Sequence, residues 1–189
     1  VYPLPTREDI FASLDGHCFF SSLDLNQGYM QIHVAERDIP KTAFVVQSGF
    51  YEFTRMPFGL TNAPATFQYA MDKALAGLKW TKCLVYLDDI IVFGRSLAEH
   101  NGHLQEVLEC IARAGLTLKP SKCAFAVTEL KFLGHILSGD GVRMDPEKVR
   151  AVAEAPRPTN LNEIRSFIGL ASFYRNFVKD FARIAEPMT

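Results

Sequence analysis

Apolar and polar positions change period several times along the chain, and each change marks an element. Residues 7–14 read as a short helix, followed by strand-like runs near 17–24, 29–35, 42–47 and 51–55. Alternation through Met30, Ile32 and Val34 supports the second of these runs, and Gly49 marks the last hairpin. From Asn62-Ala63-Pro64 the period becomes helical, with a polar cap, Pro in the first turn and an apolar stripe of Phe67, Ala70, Met71, Ala74 and Leu75. Two short apolar, β-branched strands then flank Asp88 and Asp89, ahead of a helix over about 97–114 closed by Gly115. Leu116-Thr117-Leu118 and Phe125 lead to a strand or hairpin over 130–137, with a turn at 138–141. Asp145-Pro146-Glu147 starts another helix, which Pro156 and Pro158 end. A final helix begins at Asn160, with Glu163 in capping-box position and a stripe of Ile164, Phe167, Ile168, Leu170, Ala171 and Phe173. The pattern predicts an α+β fold around a central antiparallel hairpin, with the last helices as a small separate subdomain.

The hairpin is chemically odd. A tight turn between buried strands normally uses Asn-Gly or Asp-Gly, which tolerate positive φ, whereas this chain places Asp88-Asp89 there. Two neighbouring anions repel and resist desolvation, and a divalent cation would reverse that penalty. Mg²⁺ draws on a few carboxylates together with waters and substrate phosphates, so a further acid is expected on a neighbouring strand. Asp24 is the candidate: it ends an apolar run, and the Gly28 bend after it would bring backbone N–H groups near a metal-held phosphate. Taken alone, each feature is also compatible with ordinary turn and strand-end aspartates.

Together the segments resemble a reverse transcriptase of the gypsy-like LTR retrotransposon type. The likeness spans nearly the whole chain. It rests on Tyr2-Pro3-Leu4-Pro5, Phe20-Ser21-Ser22-Leu23-Asp24-Leu25 with Gly28-Tyr29, and Ile39-Pro40-Lys41-Thr42-Ala43-Phe44. It continues through Tyr51-Glu52-Phe53, the run from Met56-Pro57-Phe58-Gly59 to Phe67-Gln68, Tyr86-Leu87-Asp88-Asp89, and Phe132-Leu133-Gly134-His135. The resemblance implies an antiparallel palm sheet backed by helices, with partial fingers, over 1–143 and a helical thumb over 144–189. It also implies that the chain is a fragment lacking the upstream fingers hairpin and the RNase H, with the missing fingers, connection and RNase H parts of the polyprotein as its partners.

The resemblance implies roles residue by residue. Asp24 and Asp88 would bind two Mg²⁺ ions, with Mn²⁺ as an alternative, and Asp89 would support the site and bind metal less directly. The Leu25 carbonyl would be a further metal ligand. Asn26, Gln27, Gly28 and Tyr29 would cradle the nucleotide, the Tyr29 ring crowding a ribose 2′-hydroxyl. Phe58 and Gly59 would pack near the incoming nucleotide, Phe58 replacing the Gln of some retroviral relatives. Tyr86 and Leu87 would lie near the primer terminus, while Leu133, Gly134 and His135 would grip its backbone. The partners implied are an RNA or DNA template, a DNA or tRNA primer and dNTPs.

Composition narrows the alternatives. The chain has 189 residues, 48% hydrophobic, enough to bury a sizeable core. No apolar run approaches the ~20 residues that cross a bilayer, and no signal pattern opens the chain. Cys18, Cys83, Cys110 and Cys123 lack paired spacing and read as reduced thiols, in keeping with a cytoplasmic protein or one inside virus-like particles. The net charge of −1 is low for a nucleic-acid binder, yet it is uneven. Residues 1–94 carry 7 Lys/Arg and 10 Asp/Glu, against 13 and 11 over 95–189. His100 and His103 are expected on a helix surface rather than in a zinc site. No GxxxxGK loop or Gly-x-Ser-x-Gly elbow occurs. Two functions remain: an RNA-directed DNA polymerase core, or a non-catalytic domesticated or truncated element that binds nucleic acid or protein.

Overall fold

The computed structural model describes residue 2 and residues 5–188, so Pro3 and Leu4 of the opening motif lie outside the described residues. The chain divides into two units: Val1–Leu130 with Ser138–Gly141, and Lys131–Leu137 with Val142–Thr189. The hairpin tip at 131–137 thus groups with the C-terminal helices, although its sequence position suggested the first domain.

In the first unit, strands β1 (Phe19–Asp24), β4 (Cys83–Tyr86), β5 (Asp89–Gly94) and β6 (Ala124–Val127) form an antiparallel sheet in the order β4-β5-β1-β6. The central strand β5 is apolar without alternation, and Ile90, Ile91, Val92 and Phe93 are all buried, as expected of a strand covered on both faces. Helix α2 (Ala63–Ala74) packs on β4, and α3 (Leu97–Arg113) packs on β5. Their stripes supply Phe67, Met71, Leu75, Val107 and Ile111 to a core with Leu23, Val85, Ile90 and Val92. The preceding helix α1 (Arg7–Leu14) is capped by Thr6, whose hydroxyl accepts the Asp9 N–H. A two-stranded hairpin, β2 (Phe44–Val46) and β3 (Gly49–Tyr51), stands apart from this sheet with its side chains largely exposed.

Three local readings are corrected. The run expected as a strand over 29–35 opens as a 3₁₀ turn, Gly28–Gln31, and only its end is extended. There Val34 N donates to the Thr54 carbonyl and Met56 N to that of Ile32, so the alternation of Ile32 and Val34 is spent on a short irregular ladder. Asn62 occupies the cap position of α2 but has helical dihedrals, φ −92° and ψ −4°, and its side chain makes no capping bond. The histidines of α3 are not surface groups. His100 is fully buried, with Nε2 2.9 Å from Ser21 Oγ, and His103 Nδ1 lies 2.7 Å from the Phe93 carbonyl. Ser21 Oγ also accepts the Ala126 N–H where β6 bulges against β1, so one hydroxyl ties the helix to the irregular edge of the sheet.

Strands β7 (Glu129–Phe132), β8 (His135–Ser138) and β9 (Gly141–Met144) form a three-stranded sheet, and helices α4 (Pro146–Ala153), α5 (Leu161–Ser172) and α6 (Phe181–Ala185), all in the second unit, follow it in sequence. The expected caps form: Asp145 accepts from Glu147 N, and Asn160 accepts from Glu163 N while Glu163 accepts from Thr159 N. The helices surround an apolar cavity of 340 Å³ lined by Val149, Val152, Phe167 and Ile184 among others. Among the described residues no helix is long and apolar enough to cross a membrane.

Gly94 ends β5 where the strand meets α3. A Cβ there would lie 2.6 Å from the His100 backbone nitrogen and 2.7 Å from its Cα, and neither atom can yield without moving the helix. Gly94→Ala is expected to destabilise the fold by about 2–3 kcal/mol in urea denaturation; a loss under about 0.5 kcal/mol would show that the strand and helix are not held this closely.

Candidate active site

The β1–β5 ladder sets the site. Its register pairs Phe19 with Gly94 and ends by pairing Asp24 with Asp89, and β4 pairs Tyr86 with the same Asp89. The turn between β4 and β5 is therefore Leu87-Asp88, not Asp88-Asp89, and the positive φ falls on Leu87 at 54°. A branched aliphatic residue in that conformation costs on the order of 1–3 kcal/mol and persists only where its surroundings hold it.

Those surroundings include Gln68 of α2, which is fully buried. Its Oε1 accepts the Leu87 N–H at 3.1 Å, and its Nε2 donates to the Val85 carbonyl at 3.3 Å. In the sequence Gln68 only closes the motif that begins at Met56, with no role of its own. The available signal was a polar residue on the face that Phe67 and Met71 bury.

Three carboxylates meet at this end of the sheet. Burial, followed by the charges of Asp89 and Asp24, pushes the Asp88 carboxyl above its ordinary range, with Lys122 pulling it partly back. Burial and Asp24 push Asp89 in the same direction, again opposed by Lys122. Asp88 Oδ1 is buried with no hydrogen-bond partner among the described residues. Asp24 turns its Oδ2 toward Lys122 Nζ, 3.4 Å away. That lysine is a second residue of the site that no sequence motif singles out. It ends the 3₁₀ turn Pro120–Lys122, which is tied to the site by the Lys119 N–H donating to the Asp24 carbonyl at 2.9 Å.

The fit to a divalent cation is partial. Among the described residues no trio of His, Cys, Asp or Glu is gathered closely enough to hold an ion by itself. The orphaned Asp88 oxygen and the excess of negative charge are compatible with an ion whose shell water and substrate phosphates complete. Leu25 is buried, and its bridge to Leu118 is flanked by Asn26 N donating to Thr117 O and Lys119 N to Asp24 O. It is thus the non-hydrogen-bonded member, and that ladder leaves its carbonyl unused.

The loop after Asp24 is rigidly framed. Gln31 donates from Nε2 to the Asn26 and Thr117 carbonyls at 2.8 and 2.9 Å and accepts the Thr117 N–H at 2.8 Å. Gln27 has positive φ, and a Cβ on Gly28 would lie 3.0 Å from the Phe67 ring and 3.4 Å from Asp88 Oδ1. Asn26 and Gln27 are exposed. Tyr29 packs its ring on Phe67 and Phe58, with centroids 5.2 and 5.4 Å away. Burial and the Asp88 charge push its phenol upward. Phe58 is 63% exposed and offers an uncovered aromatic face beside Tyr29, with Gly59 next to it at φ 91°.

The second unit holds the other expected group, at the Leu133-Gly134 turn. Both residues have positive φ, 47° and 76°. His135, expected to grip a primer, is 3% exposed, with Phe173, Tyr174 and Phe177 rings 5.4–5.6 Å away. Its side chain is a packing group. Gly134 is required by its positive φ and by Phe173 and Tyr174, which a Cβ would approach to 3.1 and 3.2 Å. The Tyr174 hydroxyl donates to the Gly134 carbonyl at 2.6 Å and latches the turn.

Residues 2–137 match the family model described as reverse transcriptase (RNA-dependent DNA polymerase). Over 188 residues the chain is 48% identical to the retrovirus-related Pol polyprotein from transposon 297 of Drosophila melanogaster, covering 100% of this chain and 18% of that protein. It is 46% identical to the corresponding polyprotein from transposon gypsy of the same organism, with the same coverage. The chain thus spans under a fifth of the length of these curated relatives. Among solved structures it superposes on a foamy viral protease-reverse transcriptase in complex with RNA/DNA hybrid, with TM-score 0.86 and 27% identity, covering 98% of this chain and 25% of that one. On the dRH form in complex with double-stranded DNA the TM-score is 0.88 at 27% identity, covering 98% and 33%.

The raised carboxyls carry a stability consequence. Unfolded Asp88 ionises near its ordinary value of 3.8 while the folded group resists, so stability is full below that pH and falls as pH rises through the folded value. Asp88→Asn is expected to raise Tm at pH 7 by about 2–4 °C, or about 1 kcal/mol in a chain of this size, with the gain vanishing at pH 3. Melting curves at the two pH values check this; a lower Tm at pH 7 would mean that the carboxylate stabilises the fold.

Proposed function

Because the chain belongs to the reverse transcriptase (RNA-dependent DNA polymerase) family, we propose that it is the polymerase core of a gypsy-like Pol polyprotein, joining nucleotides to a primer on an RNA or DNA template. The single observation that carries this reading is the β1–β5 register, which brings Asp24, Asp88 and Asp89 to one end of the sheet around an unpartnered buried oxygen. In this reading the first unit serves as palm with part of the fingers, and the second as thumb. The structural neighbours, solved in complex with RNA/DNA hybrid and double-stranded DNA, support nucleic-acid partners.

Asp24, Asp88 and the Leu25 carbonyl would hold divalent cations, Mg²⁺ first and Mn²⁺ as an alternative, with Asp89 adding to the field. When bound, such ions lower the pKa of the primer 3′-hydroxyl and neutralise charge on the departing pyrophosphate. The remaining work belongs to the chain. The loop from Asn26 to Gly28, framed by Gln31, presents backbone to the triphosphate. Tyr29, packed on Phe67 and Phe58, would crowd a ribose 2′-hydroxyl with its ring. Lys122, ion-paired with Asp24, would face charge developing on the phosphates. Tyr86 and Leu87 shape the floor beneath the primer end, and the latched Leu133-Gly134 turn offers its backbone to the primer strand.

Primer extension on an RNA template with Mg²⁺ tests the assignment. Asp88→Asn is expected to lower the rate at least about a thousandfold while the fold survives. Extension by this variant at the wild-type rate would sink the reading. Tyr29→Val is expected to reduce discrimination against ribonucleotides by about tenfold or more in competition assays, with little change in deoxynucleotide use.

A further inference from the structure

A buried amide must satisfy both of its ends, and Gln68 does so in one orientation only. Its oxygen faces the Leu87 N–H, while its NH₂ faces two acceptors, the Val85 carbonyl and Asp72 Oδ1, the latter at 3.0 Å. Reversal would set NH₂ against N–H and oxygen against both acceptors. Of the two acceptors, Asp72 gives the shorter bond, and as a carboxylate it can only accept.

Asp72 lies one helical turn after Gln68 and is itself anchored. Lys79 Nζ lies 2.7 Å from both of its oxygens, and the Tyr2 hydroxyl donates to Oδ2 at 2.6 Å. The ion pair is largely shielded, with side chains 16% and 18% exposed. Burial by itself would raise the Asp72 carboxyl; the hydrogen bonds from Lys79, Tyr2 and Gln68 and the Lys79 charge outweigh it and hold the group below its ordinary value. Position 72 thus remains a pure acceptor across the neutral range.

We propose that the Asp72–Lys79 ion pair, completed by Tyr2, is a positioning device for the active-site turn, reinforcing the Gln68 amide in the orientation that accepts the Leu87 N–H and holds Asp88 in place. The inference rests on the proposed catalytic role of Asp88. Neither Asp72 nor Lys79 touches a reacting atom; both act through Gln68. An amide at position 72 both donates and accepts, so it would remove one of the two acceptors that oppose reversal, leave the Val85 carbonyl as the other, and loosen the hold on the Gln68 amide.

The test reads the turn directly, by amide hydrogen exchange at Leu87 in the wild type, Asp72→Asn and Lys79→Met, with Lys73→Ala as a control on the exposed side of α2. Leu87 is expected to exchange about tenfold faster in Asp72→Asn, what losing one such bond amounts to, with the amides of β5 and the control unchanged. The kcat of primer extension should fall about ten- to a hundredfold while the nucleotide KM stays within about twofold. Wild-type exchange at Leu87 in both variants overturns the proposal whether or not the chain polymerises. Unchanged kcat in a variant whose Leu87 amide has opened overturns it as well. Should Asp72→Asn fail to fold, Lys79→Met carries the same readouts. A wild type that extends no primer counts against the catalytic reading alone, because the exchange measurement does not depend on it.

Discussion

The antiparallel pairing of β1 with β5 is the constraint on which the rest of the molecule depends. Two acids 65 positions apart in sequence meet because the ladder ends on them. Strand side chains alternate between faces, so a slip of one residue would exchange Asp24 for Leu23 and dissolve the cluster. What forbids the slip lies at the other end and beneath: Phe20 and Leu23 are buried, β5 is buried throughout, and Gly94 lets the strand run against the backbone of His100. The Ser21 hydroxyl, shared between His100 and the bulge of β6, fixes the same strand from a third direction. Apolar packing at one end of the sheet therefore determines where charge is concentrated at the other.

That concentration is unfavourable by itself. The turn at Leu87-Asp88 combines a positive-φ leucine, a buried oxygen without a partner and carboxyls whose ionisation the fold resists. None of these is an ordinary price of folding. Strain and unmet polarity gather where a ligand is to be received, and the surrounding frame is correspondingly over-determined. Gln68 holds the turn from α2, Gln31 holds the neighbouring loop, and both are amides whose two ends are matched to a donor on one side and acceptors on the other.

The parts of this architecture legible in the sequence are those carried by strong local chemistry. Helix α1, the capped starts of α4 and α5, the run of α3 to Gly115 and the strands around Asp88 follow from period and caps. Asp24 and the Asp88-Asp89 pair stand out because no folding rule asks for them, and the family resemblance they prompted is borne out. What escaped depends on contacts across distance. Nothing local says that Gly28–Gln31 coils into a 3₁₀ turn, since that follows from Gly28 nesting on Phe67 and Gln31 reaching Thr117. His100 and His135 look like surface or ligand-facing polar groups until a serine hydroxyl and an aromatic cluster are folded against them. The turn residues themselves were misplaced by one, because register and not composition decides which residue takes the positive φ.

The β2–β3 hairpin has a practical bearing of a different kind. Phe50 is 85% exposed, Val45 62% and Tyr51 47%, and among the described residues no third strand pairs with these two. With a net charge of only −1, molecules of this chain repel one another weakly in neutral buffer. Bare aromatic edges and weak colloidal repulsion together favour self-association. Concentration, salt and pH will therefore govern how long a purified sample stays dispersed, independently of how stably each molecule is folded.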